Sequence, residues 1–347
     1  MKRYEILFHQ ETMEQIARYR EALISGNRTM GTYLTEIMLG KELAFLTDTE
    51  LLSALLKTKK PQIFAESDLR GDGSDWNQEE LAILGNIGVA VPVTVFDDAN
   101  HRNPKVHKTP YKATLLFIPG ALLESIKTVI PCDLSAVTTH GAFDYKRYYD
   151  LYKRRLLPLF EYVQKQAGTH KKKAIITIPG LGCGVFGGSF KGTLGIQLQQ
   201  VLLDLLTNHI NQFPNISLVY YDPYNECSDY ERAIGKTLFR VRPLLRTKKP
   251  LSQLAEITEF EEGKEDLSDH ELYSVVAWDH VSWPGNDFYI GSRATDDGVK
   301  AAATDLMYHM TRVEGVYSEL HNRYAPPKQY RNWEDVIKKR SLEFVMI

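Results

Sequence analysis

Cysteine is scarce in this 347-residue sequence, and the spacing of the three cysteines excludes two common kinds of site. Cys132, Cys183 and Cys227 are an odd number and include no CxxC pair, so the sequence indicates neither a disulfide framework nor a zinc site. A reducing compartment fits this cysteine usage best.

Long apolar runs and an excess of charge of one sign are also missing. No stretch approaches the roughly 18 apolar residues of a membrane span, and the N-terminal stretch lacks the apolar centre of a signal peptide. The formal net charge of -2 provides no overall attraction to nucleic acid or to a membrane surface. We therefore expect a cytoplasmic protein with neither a nucleic-acid nor a membrane partner.

What the sequence does contain is an ordinary globular composition, 43% hydrophobic and 25% charged. Apolar residues at helical spacing predict helices over residues 12–24, 29–39 and 47–56, which we interpret as a helical extension packed on a core. An Asp- and Gly-rich segment, residues 67–80, does not have the EF-hand spacing and is predicted to be a turn.

A different pattern begins at residue 87, where β-branched and apolar runs alternate with loops and helices. The predicted strands are residues 87–96, 113–118, 135–139, 174–178, 216–221 and 273–278, and helical spacing covers residues 145–167 and 192–208. This alternation predicts an α/β layered sheet with helices on both faces and with ligand sites in the loops beyond strand ends. The charged segment 246–271 is predicted to be a solvated insertion.

A glycine loop, residues 180–188, follows the predicted strand 174–178. Its glycines can adopt positive φ and let a ligand approach the backbone closely. Backbone amides that converge at the start of the next helix would bind an anion, so we predict a diphosphate cradle. A tight strand-to-helix turn without a ligand is the alternative.

Two familiar phosphate loops do not fit this stretch. A Walker A loop needs Gly-Lys-Ser/Thr, whereas Ser189 follows the last glycine here and Lys191 comes too late. Residues 182–187 match GxGxxG, but no acidic residue stands about 20 positions later at the end of a strand. The sequence therefore indicates neither nucleoside triphosphate hydrolysis nor dinucleotide binding.

An acidic loop, residues 279–297, follows the last predicted strand. It contains Asp279, Asp287, Asp296 and Asp297 and few other charges, so its field favours a cation. A helix rich in alanine is predicted directly after it.

Both loops resemble those of a known family. The stretch PGLGCGVFGG, residues 179–188, resembles the second ligand loop of macrodomains, and the two loops with the chain length resemble the arginine-specific macrodomain hydrolases. The resemblance covers about residues 87–315. It implies a three-layer α/β/α mixed sheet, divided into a helical extension (1–80), a macrodomain-like core (81–325) and a C-terminal tail (326–347). The usual N-A-A-N…G-G-G first loop is missing, and VFDDAN, residues 95–100, is a faint echo of it.

The resemblance also implies an activity, namely removal of ADP-ribose from modified arginine side chains of a protein, with ubiquitin as one candidate. It implies a host-cytosol location if the protein is an exported effector, and no metal or cofactor besides ADP-ribose as the substrate moiety. The implied catalytic residues are Asp279, Asp287 and Asp297. The implied ligand-binding residues are Gly180, Gly182, Cys183, Gly184, Val185, Phe186, Gly187, Asn225 and Asp98.

Aspartates suit this chemistry for reasons independent of the family. Cleavage of an N-glycosidic bond to a guanidinium builds positive charge, which carboxylates can hold and stabilise while they orient water. Asp287 and Asp297 are predicted to contact the guanidinium and water, with Asp279 as their partner. Two alternatives remain, a dinuclear magnesium site at the Asp-Asp-Gly sequence 296–298 and a reader that binds ADP-ribose without cleaving it. No His-plus-acid arrangement supports Cys183 as a nucleophile.

Overall fold

The computed structural model describes residues 3–63, 72–125, 129–263 and 265–346. The strands are β1 (Glu5–Phe8), β2 (Ile87–Asp97), β3 (Val106–Pro119), β4 (Thr138–Thr139), β5 (Ala142–Phe143), β6 (Lys173–Pro179), β7 (Ile216–Asp222), β8 (Tyr230–Ile234), β9 (Thr237–Val241), β10 (His270–Trp278), β11 (Val316–Ser318) and β12 (Arg323–Ala325). The helices are α1 (Gln10–Ile24), α2 (Thr32–Ile37), α3 (Asp48–Thr58), α4 (Gln78–Leu84), α5 (Cys132–Val137), α6 (Tyr145–His170), α7 (Leu194–His209), α8 (Asp296–Ala303), α9 (Leu306–Thr311) and α10 (Trp333–Arg340). Short 3-10 turns cover Leu43–Phe45, Val185–Phe190, Ile210–Gln212, Ile257–Phe260 and Asn286–Ile290.

Eight strands form one mixed sheet in the order β1-β2-β3-β10-β6-β7-β9-β8. The five strands from β3 to β9 in this order run parallel to one another, and β1, β2 and β8 are antiparallel to their neighbours. The central strands are buried on both faces, which explains why β6 and β7 are almost continuously apolar. Parallel strands bring their carboxyl ends to one edge, so the glycine loop after β6 and the acidic loop after β10 meet there.

Helices cover both faces of the sheet, and alternate residues of β3 show this directly. Leu116 and Ile118 belong to the apolar cluster formed with α6 and α7, whereas Leu115 and Phe117 belong to the cluster formed with α8, α9 and the N-terminal helices. The side chains of a strand point alternately to opposite faces, so the two clusters lie on opposite sides of the sheet. The predicted three-layer α/β/α fold is confirmed.

The first 80 residues are not only helical. β1 pairs antiparallel with β2, with Glu5 opposite Ala90, so the main sheet begins near the N-terminus. A four-residue strand has too little periodicity to be recognised, and its stability comes from a partner more than 80 positions away. The predicted C-terminal tail likewise contains α10, and its Phe344 stacks on Tyr4 with ring centroids 5.5 Å apart.

Two other local predictions were wrong. Residues 135–139 were predicted to be a strand, but α5 occupies most of them because the carboxylate of Asp133 in its first turn is held by the buried Arg155, 2.7 Å away. The segment 246–271 is not a solvated insertion, since Leu254 and Phe260 are buried and the Arg240 guanidinium donates to the Phe260 carbonyl. In both cases a long-range contact overrides the local pattern.

The predicted turn at 67–80 lies partly outside the described residues. Its described part contains the start of α4, and the Asp72 carboxylate accepts hydrogen bonds from the backbone and hydroxyl of Ser74. Among the described residues, no helix is both long enough and apolar enough to cross a membrane.

Candidate functional site

Two adjoining cavities lie beyond the carboxyl ends of the central strands. The smaller, about 350 Å³, is lined by both the glycine loop and the acidic loop. The larger, about 710 Å³, extends over the ends of β6 and β7 toward residues 99–102. Gly180, Gly184 and Asp296 line both cavities, so together they form one groove.

The glycine loop packs tightly against the residues that follow β3, and at two positions there is no space for a side chain. A Cβ atom on Gly120 would overlap the amide nitrogen of Gly182. Gly182 has φ of +71°, and a Cβ atom there would lie 2.9 Å from the Ala121 backbone. Glycine at these two positions therefore fixes the floor of the groove.

Gly184 has a different environment, although it belongs to the same loop. A Cβ atom added there would meet nothing within 4 Å, and the residue lines both cavities. It begins the helical turn Val185–Phe190, and among the described residues the amides of Gly184, Val185 and Phe186 have no backbone acceptor. These amides can receive an anion from the groove.

The start of α7, by contrast, is already occupied by an acidic side chain. The Glu226 carboxylate accepts hydrogen bonds from Gly192 N at 3.2 Å and from Gly195 N at 2.6 Å. At the start of α7 itself, the chain's own carboxylate therefore takes the place of an anion, and the amides without a backbone acceptor among the described residues lie in the preceding turn. Glu226 is more than 30 residues from its partners, so no local motif could have revealed it.

Glu226 makes a testable contribution to stability. Replacing it with alanine leaves the buried Gly195 amide without an acceptor, so we expect a loss of about 1–3 kcal/mol in the free energy of unfolding. The matched control is Glu161→Ala, which removes an exposed carboxylate from α6. Urea unfolding of both variants measures the difference, and equal stabilities would contradict the capping role.

Asp279, the first residue after β10, is buried and its carboxylate is fully engaged. One oxygen accepts from the amides of Val281 and Ser282, at 2.9 and 2.7 Å. The other accepts from the Ser282 hydroxyl at 2.7 Å and from the Asn286 side-chain amide at 3.0 Å. Asp279 lines the smaller cavity, and its bonds hold the acidic loop folded back on itself.

Asp287 is also buried, but it clamps the far end of the acidic loop. Its carboxylate accepts from the amides of Ala294 and Thr295, at 2.8 and 3.1 Å, and from the Thr295 hydroxyl at 2.8 Å. The backbone of Gly298 lies so close to this carboxylate that a Cβ atom on Gly298 would overlap it. Asp287 is not among the described residues that line the two cavities.

Asp297 differs from both, because one of its oxygens is buried without a partner. The first oxygen accepts from Gly285 N at 2.7 Å, and the second has no hydrogen-bond partner among the described residues. Burial raises the pKa of the Asp297 carboxyl well above its ordinary value, and the nearby Asp287 carboxylate raises it further. Asp297 lines the smaller cavity, so a buried acid with a free acceptor borders the groove.

Sequence reasoning missed the role of the neighbouring Asp296. Its carboxylate accepts from Ala277 N at 2.8 Å and from the Lys300 ammonium at 3.0 Å, one helical turn later. Burial lowers the pKa of Lys300, and the Asp296 carboxylate opposes that shift. The i, i+4 spacing was visible in the sequence, but the burial of Lys300 was not.

Of the other predicted ligand residues, some line the larger cavity and one lies outside both cavities. Cys183 and the exposed Asn225 line the larger cavity, and burial raises the pKa of the Cys183 thiol, which keeps it neutral. Asp98 does not line either cavity. Its carboxylate instead accepts a hydrogen bond from Lys105 N at 2.9 Å and so closes the loop between β2 and β3. Asn100, two residues later, lies in the larger cavity instead.

A three-layer mixed sheet with a glycine-loop groove beyond its parallel strand ends is the arrangement expected of a macrodomain. The chain belongs to the macrodomain effector MavL family, whose sequence model matches residues 4–330. This range includes β1 and the N-terminal helices, so the expected limits of 87–315 were too narrow. Comparison with curated proteins finds no matching relative. Membership of this family indicates a macrodomain of the kind that binds or hydrolyses ADP-ribose on proteins.

Proposed function

We propose that this protein hydrolyses the bond between ADP-ribose and modified arginine side chains of a protein, with ubiquitin as one candidate and the host cytosol as the place of action. The observation that carries this proposal is the Asp297 carboxyl, buried at the groove with one oxygen unpaired. Burial disfavours the ionised form of this carboxyl, which is why its pKa is raised. A guanidinium would supply both the missing donor and the opposite charge.

The two cavities, about 350 and 710 Å³, have the size of small-molecule sites, and we propose that ADP-ribose spans both. The free amides of Gly184, Val185 and Phe186 suit the diphosphate at the junction of the two cavities. In this arrangement adenosine occupies the larger cavity near Asp222, and the second ribose with its arginine occupies the smaller one. The cationic end of the substrate then lies beside Asp297.

The reaction exchanges one bond for another. A water oxygen bonds to C1 of the ribose as the bond from that carbon to the guanidine nitrogen breaks, and one proton of the water ends on the leaving guanidine. Asp297, ionised by the adjacent cation, can accept that proton and pass it on. The same carboxylate stabilises the positive charge that develops at C1.

Asp279 and Asp287 serve this chemistry less directly in the proposal. Their oxygens already accept hydrogen bonds from the acidic loop, and those bonds hold Asp297 and the cavity wall in position. Both carboxylates also keep the local field negative, which favours a cationic substrate.

The same saturation of Asp279 and Asp287 favours a second candidate, a reader that binds ADP-ribose without cleaving it. Binding needs the glycine loop and the groove but no ionised base. Incubating the protein with arginine-ADP-ribosylated ubiquitin and measuring released ADP-ribose separates the two candidates. Binding without release would favour the reader.

Chelation tests the dinuclear metal alternative. We expect turnover to persist in excess EDTA. At the 296–298 sequence the Asp296 carboxylate already accepts from Ala277 N and from the Lys300 ammonium. The oxygens of Asp279 and Asp287 are likewise committed to protein donors. Within the described residues, no three ligating side chains are grouped so that they could share an ion. The measurement is the initial rate before and after chelation, with magnesium added back. Loss of activity that magnesium restores would contradict this expectation.

A further inference from the structure

The N-terminal region contributes a short segment, residues 59–63, to the wall of the groove. This segment follows α3 and runs parallel to the first part of the acidic loop, with Lys60 opposite Ser282. Lys60 N donates to the Val281 carbonyl at 2.9 Å, and Trp283 N donates to the Lys60 carbonyl at 2.8 Å. These backbone bonds join two parts of the chain that are more than 200 residues apart.

Lys59 adds a buried amino group to this junction. Its ammonium donates to the His280 carbonyl at 2.5 Å and lies 3.9 Å from the centre of the Trp278 ring. Its backbone carbonyl accepts from the Trp283 indole at 3.0 Å. Burial lowers the pKa of Lys59 to about 7, and the nearby Asp279 carboxylate opposes that shift.

Ile63 connects the segment to Asp279 through one side chain. The Asn286 amide oxygen accepts from Ile63 N at 2.7 Å, while its nitrogen donates to the Asp279 carboxylate at 3.0 Å. Ile63 itself lines the smaller cavity. The segment thus contacts both ends of the hydrogen-bond cluster that folds the acidic loop.

We propose that residues 59–63 are a positioning element of the active site, in which Lys59 and the Ile63–Asn286 link hold the acidic loop in its working shape. The inference rests on the proposed hydrolase function for its effect on turnover. The N-terminal helices therefore support the catalytic groove as well as the fold.

The test uses Lys59→Met, which keeps most of the side-chain volume and removes the donor, and Asn286→Ala, which removes the link. The control is Lys57→Met, two residues away, whose ammonium faces solvent and pairs with the exposed Glu343 at 3.3 Å. For each full-length variant we would measure hydrogen exchange by mass spectrometry, kcat and KM on arginine-ADP-ribosylated ubiquitin, and calorimetric affinity for free ADP-ribose.

We expect exchange in peptides covering residues 280–287 to accelerate roughly tenfold or more in both test variants, with the glycine loop unchanged. The value of kcat should fall by about the same factor, whereas ADP-ribose affinity should stay within about threefold. The control should match the wild type. Lys59→Arg, which retains a donor and a cation, should recover part of the loss in kcat.

Two outcomes would overturn the inference. One is unchanged exchange over residues 280–287, and the other is uniform acceleration throughout the chain with kcat per folded molecule unchanged, which would show a merely structural role. If the wild type releases no ADP-ribose, the proposed function fails. The exchange measurement still decides whether the segment positions the loop.

Discussion

Replacing Asp297 with asparagine is expected to slow ADP-ribose release from an arginine-linked substrate by roughly a hundredfold or more. The change removes the carboxylate that faces the cation and accepts the proton of water, and it keeps an oxygen that can accept from Gly285 N. Free ADP-ribose lacks the guanidinium, so its affinity should stay within about threefold of the wild type. Steady-state turnover and calorimetry on the same preparations measure both quantities.

The pH dependence provides a second readout for Asp297. Because burial raises the pKa of this carboxyl, it is neutral over part of the range in which an ordinary aspartate is charged. A base must be ionised, so kcat/KM of the wild type should rise with pH until this group has titrated. Asp297→Asn should lose that rise, whereas the control Asp269→Asn, at a side chain 85% exposed, should retain it. Near-normal turnover in folded Asp297→Asn would contradict the assigned role.

Replacing Gly184 with glutamate is expected to weaken ADP-ribose binding by roughly a hundredfold or more, since like charges brought together cost several kcal/mol. A Cβ atom added at this residue meets nothing within 4 Å, so the first carbon of the new side chain displaces no neighbour. Its carboxylate would compete with the diphosphate for the amides of the following turn. Calorimetry with free ADP-ribose measures the effect.

The matched control is Gly184→Gln, which adds a side chain of the same size without the charge. We expect it to weaken binding less than the glutamate does, and the difference isolates the electrostatic part. Gly187 would be a poorer position, because a Cβ atom there lies 3.1 Å from Leu194 and would disturb packing. If both Gly184 variants bound ADP-ribose as tightly as the wild type, the glycine loop would not be part of the ligand site.

Local sequence patterns predicted the parts of the site that are built from neighbouring residues. The strand β6, the glycine loop and α7 are consecutive in the chain, so periodicity and glycine spacing were sufficient. The confirmed α/β/α layers followed from the same alternation, whereas the order of strands in the sheet was not predicted. The acidic loop was also visible as a concentration of aspartates after β10.

Contacts between distant residues could not be predicted in this way. The Glu226 carboxylate at the start of α7 and the bond from Ile63 to Asn286 depend on the folded arrangement of several elements. From the sequence, Asp287 and Asp297 were predicted to contact the guanidinium and water together, with Asp279 as their partner. Their hydrogen bonds separate them, because Asp297 alone among the three keeps an oxygen without a partner within the described residues.

The most direct test compares two linkages of ADP-ribose to protein. Ubiquitin modified with ADP-ribose on arginine and a protein modified through a glutamate ester are incubated with equal amounts of wild type, and released ADP-ribose is followed with time. The account predicts rapid release from the arginine linkage and little from the ester, because only the first presents a guanidinium to Asp297. Equal release from both linkages, or none from arginine despite tight ADP-ribose binding, would contradict it.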